Sequence, residues 1–413
     1  MNLPAMKRFK LKAVLSIVLV ILQAIIPLFS EVAIQNKQQL RADMNIINTQ
    51  PSPAIINGTF STSFDKERAY SLIQQQLMFG YRIPGTTANR NCVSWIVSEM
   101  FKLGAVDVYN FTVKETECQN IIARVNPGHD QIVVFAAHFD SRITADKDPD
   151  PLKRNDPVPG ANDGASGVAV MLELAQKIYW SNIVWKYEFW FIFFDAEDQA
   201  VDSTYGGGIS GWNWCEGSKW LANDMENNPS KYFSSGKNLN SINAFILFDM
   251  VGGTNLQFIY EAHSNQNLRK NVFEVGNELG YAHEFPLSGH GYSIEDDHVP
   301  FYQKGVPTID LIIKFWDTSA GWAYHHTTSD SIDHISKQSL YITGHTILTF
   351  LNKFYDPNAE EEPVWGPNNI ILNWLTNPIN IAIICAIVGL IIFGRIVGKR
   401  IEKKQLARLM RFF

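Results

Sequence analysis

Apolar runs that stop abruptly at ionisable residues constrain this chain more than any other feature. Residues 132–137 and 189–194 are wholly apolar, and 242–248 is interrupted only by Asn243. Runs of this length and continuity fit strands buried on both faces of a sheet, a pattern of parallel sheets covered by helices. The first run closes on His138-Phe139-Asp140, the second on Asp195-Ala196-Glu197-Asp198, and the third on Asp249. Between them the apolar spacing becomes helical, as in Val168, Met171, Leu172, Leu174 and Ala175. Strands alternating with helices predict one α/β domain, a central mixed and largely parallel sheet flanked by helices. The carboxyl ends of such strands form the edge where ligands bind.

The same reading extends to both sides. Phe64, Ala69, Leu72, Ile73 and Leu77 mark an amphipathic helix ended by Ile83-Pro84-Gly85. A helix is expected over 91–103, strands over 106–113 and 120–125, a helix near 218–225 and another over 267–279. A strand over 308–313 and a closing helix over 337–354 complete a catalytic domain spanning 63–356. Outside it the sequence predicts a basic segment 1–12, a membrane anchor 13–30 and a polar stalk 31–62. The alternative for 13–30 is a signal peptide cut near Ser30. An acidic linker 357–373 leads to a transmembrane helix 374–398 and a basic tail 399–413. Lys and Arg lie outside both apolar runs, which predicts both termini in the cytoplasm and the domain on the far side of a membrane. The sequons at Asn57 and Asn110 are compatible with that side. A formal charge of −6 gives no case for nucleic-acid binding, and four cysteines are too few for a disulfide scaffold. Cys92 and Cys118 are candidates to pair.

One turn stands out. Residues 159–167, Pro-Gly-Ala-Asn-Asp-Gly-Ala-Ser-Gly, deliver a single carboxylate, Asp163, just before a helical pattern begins. Glycine and asparagine there permit a sharp strand-to-helix reversal. With His138, Asp140, Glu197, Asp198 and Asp249 on the same edge, the residue types suit zinc held by nitrogen and oxygen. An adjacent pair such as Glu197-Asp198 allows one carboxylate to bind metal while its neighbour, left off the metal, acts as general base and acid.

These segments resemble a known superfamily, the zinc aminopeptidases and glutaminyl-peptide cyclotransferases. The likeness rests on His138-Phe139-Asp140-Ser141-Arg142, Gly160–Gly167 and Phe194–Asp198, and runs from about residue 79 to 327. Trp214-Cys215-Glu216-Gly217-Ser218, Leu247-Phe248-Asp249-Met250-Val251-Gly252-Gly253, Asp296-Asp297-His298 and Gly305-Val306-Pro307 look more like the zinc-dependent glutaminyl cyclases. That resemblance implies one zinc on Asp163, Asp198 and His326, with Glu197 as base and acid. It also implies an acidic network of Asp249, Asp296 and Asp310 behind the substrate, a peptide or protein N-terminus. Cys215 is not expected to act as a nucleophile, no base being evident nearby in sequence.

His325 departs from the family, whose cyclases usually place Trp before the zinc-binding His. Trp322, Trp212 or Trp214 is then the expected aromatic wall, and His325 is itself an alternative ligand to His326. The rival reading is a two-zinc aminopeptidase, with Asp163 bridging, His138 and Asp249 on one metal, and Asp198 and His326 on the other. A membrane-tethered binding module is the third, disfavoured by the intact Glu197 and ligand set.

Overall fold

The computed structural model describes residues 60–181, 183–316, 321–358 and 362–368 of the chain. The predicted segments 13–30 and 374–398 lie outside the described residues, within which no helix is long and apolar enough to cross a membrane.

Helix α1 (Lys66–Leu77) starts where the Asp65 carboxylate accepts from the amides of Glu67 and Arg68. Helix α2 (Thr87–Phe101) begins four residues before the expected start, because the Thr86 hydroxyl accepts from Asn89 N and fixes the first turn there. Strands β1 (Ala105–Val113) and β2 (Thr116–Val125) form an antiparallel hairpin. Then come β3 (Gln131–His138), α3 (Ser166–Tyr179), β4 (Tyr187–Phe194), α4 (Glu216–Asn227) and β5 (Ile242–Asp249). The remainder is β6 (Tyr260–Glu261), α5 (Gln266–Glu278), β7 (Gly291–Tyr292), α6 (Val299–Gln303), β8 (Thr308–Ile312) and α7 (Lys337–Phe354).

The main sheet has the order β1-β2-β4-β3-β5-β8. Its first two pairings are antiparallel and the β4-β3-β5-β8 half is parallel, as the unbroken apolar runs require. Alternate residues of β3 enter two different cores. Val133, Phe135 and Ala137 meet the cluster that holds α1, α2, α3, α5 and α7 residues, while Ile132, Val134 and Ala136 meet that of α4 and α6. Register then fixes the functional edge: His138 pairs with Phe194, and Asp249 with Ile312. With Ala136 of β3 paired to Leu247 of β5, all four parallel strand ends stop level with one another.

Several expectations need correction. Cys92 and Cys118, whose pairing the sequence leaves open, are free, buried thiols. The pairing of β6 with β7 and the short helix α6 were not anticipated, since two- and five-residue elements are too brief for a hydrophobic period to show. The domain also reaches past 63–356. Phe60 packs edge-on against Trp185, and Trp365 is buried against Phe350 while its Nε1 donates to Asn243 Oδ1. Hydrogen bonds dock the same stretch: Asn243, Asn265 and Asn267 donate through Nδ2 to Pro363 O, Gly366 O and Trp365 O, and Asn368 Nδ2 donates to Tyr302 O and Val306 O.

Candidate metal centre and catalytic pocket

The loop between β3 and α3 is held from below by two buried residues. Arg82 donates through Nε to Phe139 O (2.9 Å), and its two terminal nitrogens donate to Pro159 O (3.0 Å) and Gly160 O (2.6 Å). Asp330 accepts from the amides of Asn162 (2.8 Å) and Asp163 (3.1 Å). Gly164 completes the turn at φ +97°, where a Cβ would stand 2.2 Å from Asp140 O. No other residue fits there.

The turn after β4 is built the same way. Ala196 sits at φ +61°, and Asp140 accepts from Glu197 N (3.1 Å), Asp198 N (3.3 Å) and Gln199 Nε2 (3.0 Å). From the far side the start of α4 clamps it: Cys215 N donates to Glu197 O (2.9 Å) and Glu216 N to Ala196 O (3.0 Å). His326, Met250 and Cys215 are also non-glycine residues with positive φ. Each such residue costs about 1–3 kcal/mol, and their gathering at one strand edge is typical of a site where the surroundings impose the geometry.

These turns bring a set of ligand atoms together. His326 Nε2 lies 3.1 Å from Asp198 Oδ1 and 4.0 Å from Asp163 Oδ2. Ligands bound to zinc at ~2.0–2.2 Å in a tetrahedron stand about 3.3 Å apart, so this spacing suits a small divalent cation. The other nitrogen, His326 Nδ1, points to Asp146 Oδ1 at 3.4 Å, and Arg142 secures both acids by donating to Asp146 (2.6 Å) and Asp198 (3.1 Å). A carboxylate behind a ligating imidazole is the usual means of orienting it. A second group adjoins the first: His138 Nε2 lies 3.1 Å from Asp163 Oδ1 and 3.4 Å from Asp249 Oδ1. Neither His138 nitrogen, nor Asp249 Oδ1, has a hydrogen-bond partner although all are buried. Close polar atoms without hydrogen-bond geometry are the arrangement a cation would satisfy.

The pocket over this centre has a volume of about 260 Å³ and is lined by Asp163, Glu197, Asp198, Asp249, Asp296 and both His325 and His326. Burial pushes the Glu197 carboxyl well above its ordinary range, with Asp198, Asp296 and Asp297 adding to the rise against the pull of His138. Burial also raises Asp249, and it raises Asp296 to about 7 with Asp249 contributing. Close carboxyls in a dry site cannot all ionise, so they share protons. The chain of acids continues behind the pocket, where Asp296, His298 and Asp310 approach within 4.8 Å of one another.

The expected residues therefore converge. Asp163, Asp198, His326, Glu197, Asp249, Asp296 and His138 all reach the edge. Asp310 does not line the pocket: it pairs with Leu247 inside the β5-β8 ladder, two residues deeper along the strand than Asp249. Of the three tryptophans considered, Trp214 forms the wall, stacked on His326 (5.9 Å) and under Arg142 (4.9 Å). Trp322 is buried against Tyr324 and Gly253, and Trp212 joins a separate apolar cluster with Phe111 and Cys118. Phe315, also on the pocket wall, was missed, as were the supporting roles of Asp146 and Asp330. The Cys215 thiol is not remote from a carboxylate: Sγ donates to Glu197 Oε1 at 3.2 Å. Burial lifts that thiol well above its usual range, which keeps it protonated and a poor nucleophile.

The profile of Peptidase family M28 matches residues 120–351, more than half the chain. The chain belongs to that family. This M28 chain is 30% identical to the crystal structure of Porphyromonas gingivalis glutaminyl cyclase, with a TM-score of 0.62 over 71% of its length and 99% of the other's. A Zn-dependent exopeptidase from Parabacteroides distasonis is equally similar, at 30% identity and TM-score 0.62 over 70% and 98%. Among curated proteins, the glutaminyl-peptide cyclotransferase-like protein of Bos taurus is 24% identical over 317 residues, 70% of this M28 chain and 76% of that protein.

Proposed function

We propose that this chain is a zinc-dependent glutaminyl-peptide cyclotransferase, converting an N-terminal glutamine to pyroglutamate with release of ammonia. The observation that carries it is the run of close, buried acids from Glu197 through Asp296 to Asp310 and His298. Such a run moves and stores protons in and behind one pocket, which an intramolecular amine-for-ammonia exchange requires at both ends. Glutaminyl cyclases among the similar proteins support it.

Asp163, Asp198 and His326 would hold one zinc, whose Lewis acidity polarises the glutamine γ-carbonyl when bound. Glu197 takes a proton from the substrate's α-amine as that nitrogen attacks Cδ, and returns one to the departing ammonia. Asp249 accepts a hydrogen bond from the amine or the amide and holds it in line. Asp296 receives surplus protons from Glu197 and keeps the pocket's net charge low. Trp214 and Phe315 exclude water, so that hydrolysis does not compete. Cyclisation is read by mass spectrometry as a loss of about 17 Da with no residue removed. Glu197→Gln should abolish it and leave zinc bound; full activity in that variant would sink the mechanism.

One observation favours a second reading, a two-zinc aminopeptidase. Asp163 Oδ1 and Oδ2 face His138 and His326 respectively, as a bridging carboxylate would. Two zincs per chain and removal of single residues from unrelated peptides would establish it. The segments 13–30 and 374–398, with basic residues outside both, support a domain tethered on the extracytoplasmic side, testable by protease protection in sealed vesicles.

A further inference from the structure

A second histidine stands beside the metal ligands and has no part in the scheme above. His325 Nε2 lies 3.9 Å from Asp163 Oδ2, the oxygen that His326 Nε2 approaches at 4.0 Å, so both imidazoles face one position. The two rings pack with centroids 3.7 Å apart, and Phe315 closes on His325 at 4.5 Å. On its other side, His325 Nδ1 lies 3.1 Å from Lys147 Nζ, which is in turn 3.8 Å from Asp202 Oδ2. An ammonium has donors only, so Nδ1 must accept, and the ring proton of the neutral imidazole resides on Nε2. A nitrogen that carries a proton has no lone pair for a cation. The lysine thereby separates two adjacent residues of the same type: His326 is left free to ligate, and His325 is turned into a donor.

We propose that His325 is a catalytic hydrogen-bond donor, its Nε2–H, fixed by Lys147, binding the γ-carbonyl oxygen of the substrate's N-terminal glutamine. This rests on the cyclase reading. As the α-amine nitrogen bonds to Cδ, that oxygen gains negative charge, and a preorganised donor in a dry pocket stabilises it. The bond from Cδ to the amide nitrogen then breaks and ammonia leaves. His325 retains its proton throughout, and proton transfer stays with Glu197 and the acid behind it, Asp296.

The test uses the zinc-loaded full chain with a Gln-Ala dipeptide, and the cobalt(II)-substituted protein for its visible absorption, which reports the ligand set. His325→Phe should lower kcat/KM on the order of 10²-fold, the loss expected for one such donor. Zinc content and the cobalt spectrum should stay unchanged. His325→Gln, which keeps an N–H, should recover roughly tenfold of that loss, and Lys147→Met should lower kcat/KM in the same direction. Loss of zinc or an altered cobalt spectrum in His325→Phe would make His325 a ligand and overturn the proposal, as would unchanged kcat/KM. A wild-type chain that yields no pyroglutamate sinks the cyclase reading itself, a result seen before any variant is made.

Discussion

Glu197 has to satisfy opposing demands. Burial raises its proton affinity, yet a general base must begin the cycle ionised. The Cys215 thiol answers part of this by donating to Oε1, which stabilises the carboxylate. Cys215→Ala should therefore lower kcat roughly tenfold, the worth of one hydrogen bond to a charged group. The sign of the pH effect follows: without the donor the Glu197 pKa rises, so the acidic limb of the kcat/KM profile moves to higher pH. Cys215→Ser, which restores a donor, should return both. A variant that changes stability but leaves the profile in place would assign the thiol to packing alone. This contact was not legible in the sequence. Cys215 and Glu197 are 18 positions apart, and only the clamp of α4 onto the turn after β4 brings them together.

Strands and helices were legible where the hydrophobic period was long. The β3, β4, β5 and β8 runs and α7 fall where apolar continuity or helical spacing placed them, and parallel register then carries their terminal acids to one edge. What the period does not encode is support from distant polar residues. Asp140 holds the Glu197 and Asp198 amides, Asp330 holds that of Asp163, and Arg82 joins both ends of one loop; each is a long-range contact with no local signature. The Gly160–Gly167 turn was visible, but its reason was not. Gly164 is fixed both by its φ of +97° and by the 2.2 Å that a Cβ would leave to Asp140 O. Gly164→Ala should thus cost more than the ~1–2 kcal/mol of a left-handed backbone alone. Because Asp140 must shift to make room, the Glu197-Asp198 turn moves with it. The expected outcome is a lowered midpoint in urea together with weakened zinc retention. Normal zinc content in a destabilised variant would show that the two turns are not coupled.

At the scale of the molecule, the interior carries more acid than its histidines and arginines offset, and this links folding, pH and metal. In the metal-free protein, burial lifts Asp296 to about 7 and Asp330 to about 8, the latter aided by the charge of Asp163, from an ordinary 3.8. Groups with raised folded pKa make the native state bind more protons than the unfolded chain, so stability falls as pH rises through the interval between the two values. Glu261 runs the other way. Burial alone would raise it, but the charge of His298 and hydrogen bonds with His263 and His298 hold it below its ordinary 4.5. Its stabilisation is complete above that ordinary value and is lost as pH falls through the lower folded one. The metal-free domain should therefore be most stable at about pH 4, where the two opposing effects cross, flanked by a loss on each side. Zinc needs ionised Asp163 and Asp198 and a neutral His326, so its contribution grows as pH rises. At roughly 1,000-fold excess over Kd it adds about 4 kcal/mol. Thermal unfolding of chelator-treated and zinc-loaded protein from about pH 5 to about pH 8 checks this. The metal-free midpoint should fall across that range while the gap to the loaded protein widens. A gap that narrows with pH would mean that the buried acids, rather than being balanced by the cation, are already ionised and paired within the chain.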